Sequence, residues 1–309
     1  MVRIILLIVG LFILLMQYYV QPFSTNTQFL FFLGGIILLG VPHGAADLLV
    51  ANRNAGFQKK SFSQIRFFAI YLGRLFLFAA ILWFFPLAGN LLFILFAAYH
   101  FGETDLHKFK TDTIWGKLFV TSYGLLILSV ILLHHFEEVK PIYFLFKSGQ
   151  EYTAIINQID QNRYVLMSAT GMLFFVSTFF YFLKVDNTSL QDKGQFLIRF
   201  TCILFLLYNM PMVIGFTFYF ILWHSILSLI NIIGYLRKGD ANKSSLIIKQ
   251  IVFYSLLAMV GIALFGLVGF MFINKNAIMG YVFLGLAVLT APHMQVMHDM
   301  YNRLRINHS

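Results

Sequence analysis

Four of the nine histidines sit in polar islands cut into long apolar stretches: His43 in GVPHGAADLL, His100 in AAYHFGETDL, His224 in LWHSILSL and His293 in APHMQVMHDM. Ionisable groups set in hydrocarbon are costly, so they mark functional sites by default. Neutral imidazole is the commonest metal ligand and suits iron, zinc and copper. Four islands on four separate apolar segments imply one site assembled between helices. The single cysteine, Cys202, offers neither a disulfide nor a soft thiolate set. Metal-bound histidines usually pass their other N–H to a carboxylate. Asp47 follows His43 by four residues, on the same helix face, and Glu103 follows His100 by three. These two are the candidates to orient ligands and take part in catalysis. Asp105 and Asp299 lie close by at less suitable spacing, and Tyr99, Trp223 and Pro292 directly precede histidines.

The elements that must carry these residues are membrane helices. The chain is 60% hydrophobic and 11% charged, with mean hydropathy +0.80, whereas a soluble domain is nearer half apolar and a quarter charged. The expected fold is an all-α, polytopic integral membrane helical bundle forming one membrane domain. A helix spans a bilayer with ~20 mainly apolar residues. Spans fall near 2–20, 29–50, 67–85, 88–106, 115–134, 163–184, 196–213, 216–236, 248–273 and 277–300, about ten in all by that criterion. The first, with Arg3 and an apolar run, has no small-residue cleavage signal and reads as a membrane helix rather than a leader. Asn209 and Pro211 interrupt the seventh.

The net charge of +10 does not indicate nucleic acid, because the basic residues gather in alternate short loops. Arg53, Lys59, Lys60 and Arg66 lie in 51–66, Lys108 and Lys110 in 107–114, Lys193 in 185–195, Arg237, Lys238 and Lys243 near 237–247, and Arg303 and Arg305 in the tail. The intervening loops carry little charge (21–28 none, 274–276 only Lys275), and 135–162 is mixed, with Glu137, Glu138, Lys140 and Lys147. This bias puts both termini in the cytoplasm of a protein of the cell inner (plasma) membrane. His43, His100 and His293 then lie at similar depth in the cytoplasmic half, with His224 nearer the midplane, a difference that tilt can level.

Read singly, a buried membrane histidine is also explained by a helix-to-helix hydrogen bond. Likewise Asp47 and Glu103 are explained by pairing with Arg53, Arg74 or backbone. Shared depth and acidic neighbours favour a site. His107, His298 and His308 fall near span ends and read as solvated, and His134 and His135 as interfacial. His298 is about 140° around the helix from His293. A transporter or channel using these His, Asp and Glu side chains as a metal or proton path is the rival reading, although no internal repeat is visible.

At these islands the sequence resembles the Brp/Blh family of membrane β-carotene 15,15′-dioxygenases. The matching stretches are Gly40 to Asp47, His100 to Asp105, Trp223-His224-Ser225 and Pro292-His293-Met294. The resemblance implies a non-haem enzyme using Fe(2+) and O2 to cleave the central double bond of β-carotene, or a related apolar carotenoid, to retinal. It implies His43, His100 and His224 as metal ligands. The family pattern commonly has a further histidine four residues after the W-H histidine, where this chain has Ser228. His293 is the best substitute ligand by depth, and His298 a weaker one. On that reading Ser228→His raises, or at least preserves, iron occupancy. Loss of a ligand also makes a non-catalytic carotenoid-binding protein conceivable. Desaturase-type HxxxH and HxxHH clusters are absent, as is the pair of Asp-rich motifs of membrane prenyltransferases.

Overall fold

The structure, a computed structural model, describes residues 1–144, 151–185, 190–237, 244–270 and 278–306. His308 and the loop residues Lys147, Lys238, Lys243 and Lys275 lie outside the described residues. Every regular element among the described residues is helical. In chain order they are α1 (Val2–Val20), α2 (Thr25–Phe57), α3 (Gln64–Phe84), α4 (Pro86–Asp105), α5 (Ile114–His134), α6 (Phe136–Phe144), α7 (Thr153–Gln161), α8 (Arg163–Lys184), α9 (Leu190–Asn209), α10 (Met212–Arg237), α11 (Ser244–Phe270) and α12 (Ile278–Ile306).

Eight of these contain a stretch long and apolar enough to cross a membrane: α1, α2, α3, α5, α8, α10, α11 and α12. The other two expected spans are the 20-residue helices α4 and α9. Glu103 and Asp105 dilute the apolarity of α4, and Asp192, Lys193 and Arg199 that of α9. Large apolar side chains such as Ile65, Phe76, Trp83 and Phe175 are exposed on the helix surfaces, as suits contact with lipid.

The helix starts follow from local chemistry. The hydroxyls of Ser24, Ser63 and Thr113 accept hydrogen bonds from the backbone N–H groups of Thr27, Arg66 and Gly116, satisfying donors that a first turn leaves without a carbonyl. Pro211 separates α9 from α10, because a proline has no N–H to continue the ladder. Four long helices carry wide π turns, at Met16–Val20 in α1, Ile36–Gly40 in α2, Val130–His134 in α5 and Thr217–Ser225 in α10.

Chain contacts group into two compact units, Met1–Ile36 with Lys108–His224, and Ile37–His107 with Ser225–Ser309. In the first, α5 and α8 are joined by hydroxyl pairs, Ser122 with Ser177 at 2.5 Å and Ser129 with Thr170 at 2.8 Å. Small polar residues of this kind hold helices together where lipid removes the hydrophobic drive. Gly35 lets α2 approach α10 closely, since a Cβ there would meet Ile221 at 2.8 Å. The segment 135–162, read from sequence as a mixed loop, contains α6 and α7. Ion pairs between Lys140 and Asp160 at 2.8 Å and between Arg163 and Glu137 at 2.9 Å connect these polar helices to α8. Glu138 also accepts the Met212 N–H at the start of α10, at 3.1 Å.

In the second unit, α12 packs on two apolar clusters. Phe78, Leu82 and Ala287 join α3 to α12, with Leu92 and Phe93 of α4 packed against them. Further along α12, Val296, Met297, Met300 and Tyr301 pack with Ala46 and Val50 of α2, Ile232 and Tyr235 of α10, and Ile247 and Ile251 of α11. His293 falls between these clusters in sequence.

The Glu138 cap carries a prediction. Glu138→Ala should lower the thermal stability of the detergent-solubilised protein by about 1 kcal/mol, the usual worth of a helix cap. Glu138→Gln, which keeps an acceptor oxygen, should recover part of that loss in the same unfolding assay.

Candidate metal centre

Three of the four island histidines sit where a helix departs from regularity. His43 follows the π turn of α2, directly after Pro42, and the helix breaks again at Ala46. His224 lies within the π turn of α10. His293 follows Pro292 inside α12, where the proline lacks the N–H for the i−4 carbonyl. Such departures re-aim side chains and recur at functional sites. His100 sits on regular α4, its carbonyl accepting a bond from the Thr104 hydroxyl at 3.0 Å.

All four imidazoles are buried, His224 completely. Within the second unit, His293 is the hub. Its ring stands edge-on to that of His43, with centroids 4.3 Å apart, and to that of His100, 5.2 Å apart. His224 closes the first unit, in the π turn of α10. The second unit brings His43, His100 and His293 together, three buried imidazoles able to offer nitrogens to an ion. The donor set is neutral and nitrogen-only, as first-row divalent metals accept.

The acidic residues are not where sequence spacing put them. Asp47 was expected to orient His43, four residues before it. Instead its Oδ1 is 2.8 Å from Nδ1 of His293 on α12. The break at Ala46 accounts for this: with ψ −9° it rotates the turn that begins at Asp47 away from a straight i, i+4 path. The other oxygen, Oδ2, accepts a bond from the Tyr71 hydroxyl of α3 at 3.0 Å. Tyr71 was not singled out from sequence, because nothing in IRFFAIYLGR distinguishes it from the many lipid-facing aromatics. His293 Nε2 is buried and makes no hydrogen bond among the described residues.

Glu103 was expected near the ligands as well. It is buried and meets His298 Nδ1 at 3.0 Å and Arg305 Nη2 at 2.7 Å. His298, read as solvated, is therefore a half-buried partner of Glu103, and Asn302 meets its other ring nitrogen at 2.9 Å. This arrangement ties the end of α4 to the end of α12, one turn from His100, and fixes the register of the two helices. It pairs Glu103 with Arg305 rather than with Arg53 or Arg74. Asp105 is also buried. His107 is half-buried, with Nδ1 at 2.9 Å from the Thr104 carbonyl. His134 stacks on Tyr208 and His135 meets the Leu207 carbonyl at 3.0 Å, both in the first unit.

Ser228 is completely buried one turn beyond His224, its hydroxyl 3.8 Å from the sulfur of Met297. Met297 is itself one turn beyond His293 and completely buried. The chain thus places a hydroxyl and a thioether together at this level. An imidazole at 228 would press on Met297, a crowding that the expected gain in metal occupancy of Ser228→His would have to overcome. Ser228→His alone should destabilise the protein by about 1–3 kcal/mol, the usual cost of overpacking. Ser228→His combined with Met297→Ala should unfold at a higher temperature than Ser228→His alone; thermal unfolding of the two variants checks this.

A family model described as beta-carotene 15,15'-dioxygenase matches residues 34–301, a span that includes all four islands. Neither the curated proteins nor the solved structures contain a significant match to the chain.

Proposed function

This chain belongs to the beta-carotene 15,15'-dioxygenase family, and from that premise we propose that it is a membrane oxygenase using Fe(2+) and O2 to split the central double bond of β-carotene, or of a related carotenoid, into retinal. The observation that carries the reading is the buried grouping of His43, His100 and His293 in the second unit, the rings of His43 and His100 centred 4.3 and 5.2 Å from that of His293. His43, His100 and His224, the positions that the family resemblance implies, would hold the iron, with His293 as a fourth nitrogen donor. Bound there, ferrous iron supplies the activation of O2 that a closed-shell polyene cannot achieve alone. In the net reaction one carbon–carbon double bond is broken, two carbonyl bonds form, and both oxygen atoms of O2 end in product, so no external reductant is consumed.

The chain's own residues do the remaining work. Neutral imidazoles leave the ion its positive charge, and the Asp47 carboxylate offsets part of it through His293. Apolar clusters along α12 on both sides of His293 keep the surroundings dry, which strengthens each charge interaction there. The eight membrane-length apolar helices among the described residues suit a substrate that dissolves in lipid and enters sideways. Burying a polyene contributes ~25 cal/mol per Å2, so few polar contacts are needed to bind it. The basic-loop bias supports about ten spans with both termini cytoplasmic in the cell inner membrane.

The test is pigment analysis of a carotene-producing bacterium expressing the intact protein, His43→Ala or His100→Ala. Retinal should accumulate with the intact protein. Each variant should insert into the membrane normally and lower retinal formation at least ~100-fold, as expected when the metal site loses a ligand. Full activity in either variant would remove that histidine from the ligand set. Unchanged β-carotene with the intact protein would sink the cleavage reading. Metal or proton flux in liposomes would then favour transport, and pigment bound without turnover a carotenoid-binding role.

A further inference from the structure

We propose that Tyr71 is a positioning residue for the metal centre, acting through Asp47 to aim the Nε2 atom of His293. The proposal rests on the reading of His43, His100, His224 and His293 as a metal site.

The geometry is a chain of two hydrogen bonds across three helices. The Tyr71 hydroxyl on α3 donates to Asp47 Oδ2 on α2 at 3.0 Å, and Asp47 Oδ1 meets His293 Nδ1 on α12 at 2.8 Å. An ionised carboxylate only accepts, so Nδ1 of His293 carries the hydrogen and Nε2 presents its lone pair. That lone pair is buried and has no hydrogen-bond partner among the described residues. Its ring stands edge-on to His43 and His100, two of the histidines proposed as ligands. A buried nitrogen held in this tautomer beside two candidate ligands is prepared to donate to the same ion.

Tyr71 matters because Asp47 alone does not fix the ring. A carboxylate held by one bond rotates about χ2 and swings both oxygens. With Oδ2 held by Tyr71, the plane of the carboxylate is set, and with it the direction from which Oδ1 meets Nδ1. The departure at Ser228 gives this relay its importance. The chain has no imidazole one turn beyond His224, and that level is filled by Ser228 and Met297. A fourth nitrogen would therefore come from another helix; the Nε2 of His298 meets Asn302, whereas that of His293 is buried without a hydrogen bond among the described residues.

A purely structural reading is that the three residues only glue α2, α3 and α12 together. The two accounts differ in what happens to metal affinity when His293 is absent. Co(II), a spectroscopic stand-in for Fe(2+), is titrated into purified full-length protein, following its visible absorption bands. Asp47→Asn should weaken binding ~10–100-fold, the usual effect of removing a ligand's orienting partner. Tyr71→Phe, one bond further away, should weaken it by a smaller factor of about 3–10 on that scale and shift the bands. In a His293→Ala background, Tyr71→Phe should cause no further loss, because no ring remains to be aimed. Thermal unfolding of the metal-free variants, run in parallel, shows whether each one is folded. Unchanged affinity and bands in Tyr71→Phe would overturn the proposal while leaving the metal site in place, and so would an equal loss in the His293→Ala background. Failure of the intact protein to take up Co(II) would remove the metal reading and the proposal together.

Discussion

A carboxylate inside hydrocarbon is tolerable only if both oxygens are engaged, and Asp47 engages both. Much of the site's organisation depends on that one requirement. With no water to solvate it, the carboxylate must draw donors from neighbouring helices. It finds one on α3 and one on α12, and so fixes three helices around a single point. His293, once bonded, has one remaining direction in which to present a nitrogen. Glu103 solves the same problem near the helix ends, where Arg305 and His298 supply the donors. Between them, the two buried acids hold α12 to α2 and α3 at one level and to α4 at the next.

The irregular backbone around the histidines follows from the same need to converge. Regular helices packed side by side present ligands at repeats of about 5.4 Å along each axis, too coarse a step to bring several rings onto one ion. A π turn, a break or a proline moves a side chain between those steps. His43, His224 and His293 each lie at such a place. The apolar clusters before and after His293 on α12 pack beside the departures at His43 and His293.

Much of this was legible in the sequence. The all-helical architecture came from apolar length, the helix break at 209–211 from Asn209 and Pro211, and the four islands from the cost of polar groups in apolar segments. What was not legible depends on where helices meet. Straight-helix spacing assigned Asp47 to His43, because a break at Ala46 leaves no strong composition signal. Tyr71 was hidden among the 15 tyrosines and 37 phenylalanines. Ser228 stood out as a missing histidine, but its packing against Met297 required the neighbouring helix. The helices α6 and α7 read as loop because they are short and polar, and the ion pairs Lys140–Asp160 and Glu137–Arg163 join residues 20 and 26 positions apart.

The central claim is that buried histidines hold an iron that cleaves a carotenoid with O2. It is tested most directly by loading purified protein with Fe(2+) under argon, removing unbound metal, and then adding β-carotene with or without air. The account predicts near-equimolar retained iron and retinal formed only in air. Retinal produced by chelator-stripped, iron-free protein, or no product from protein that retains iron in air, would contradict it.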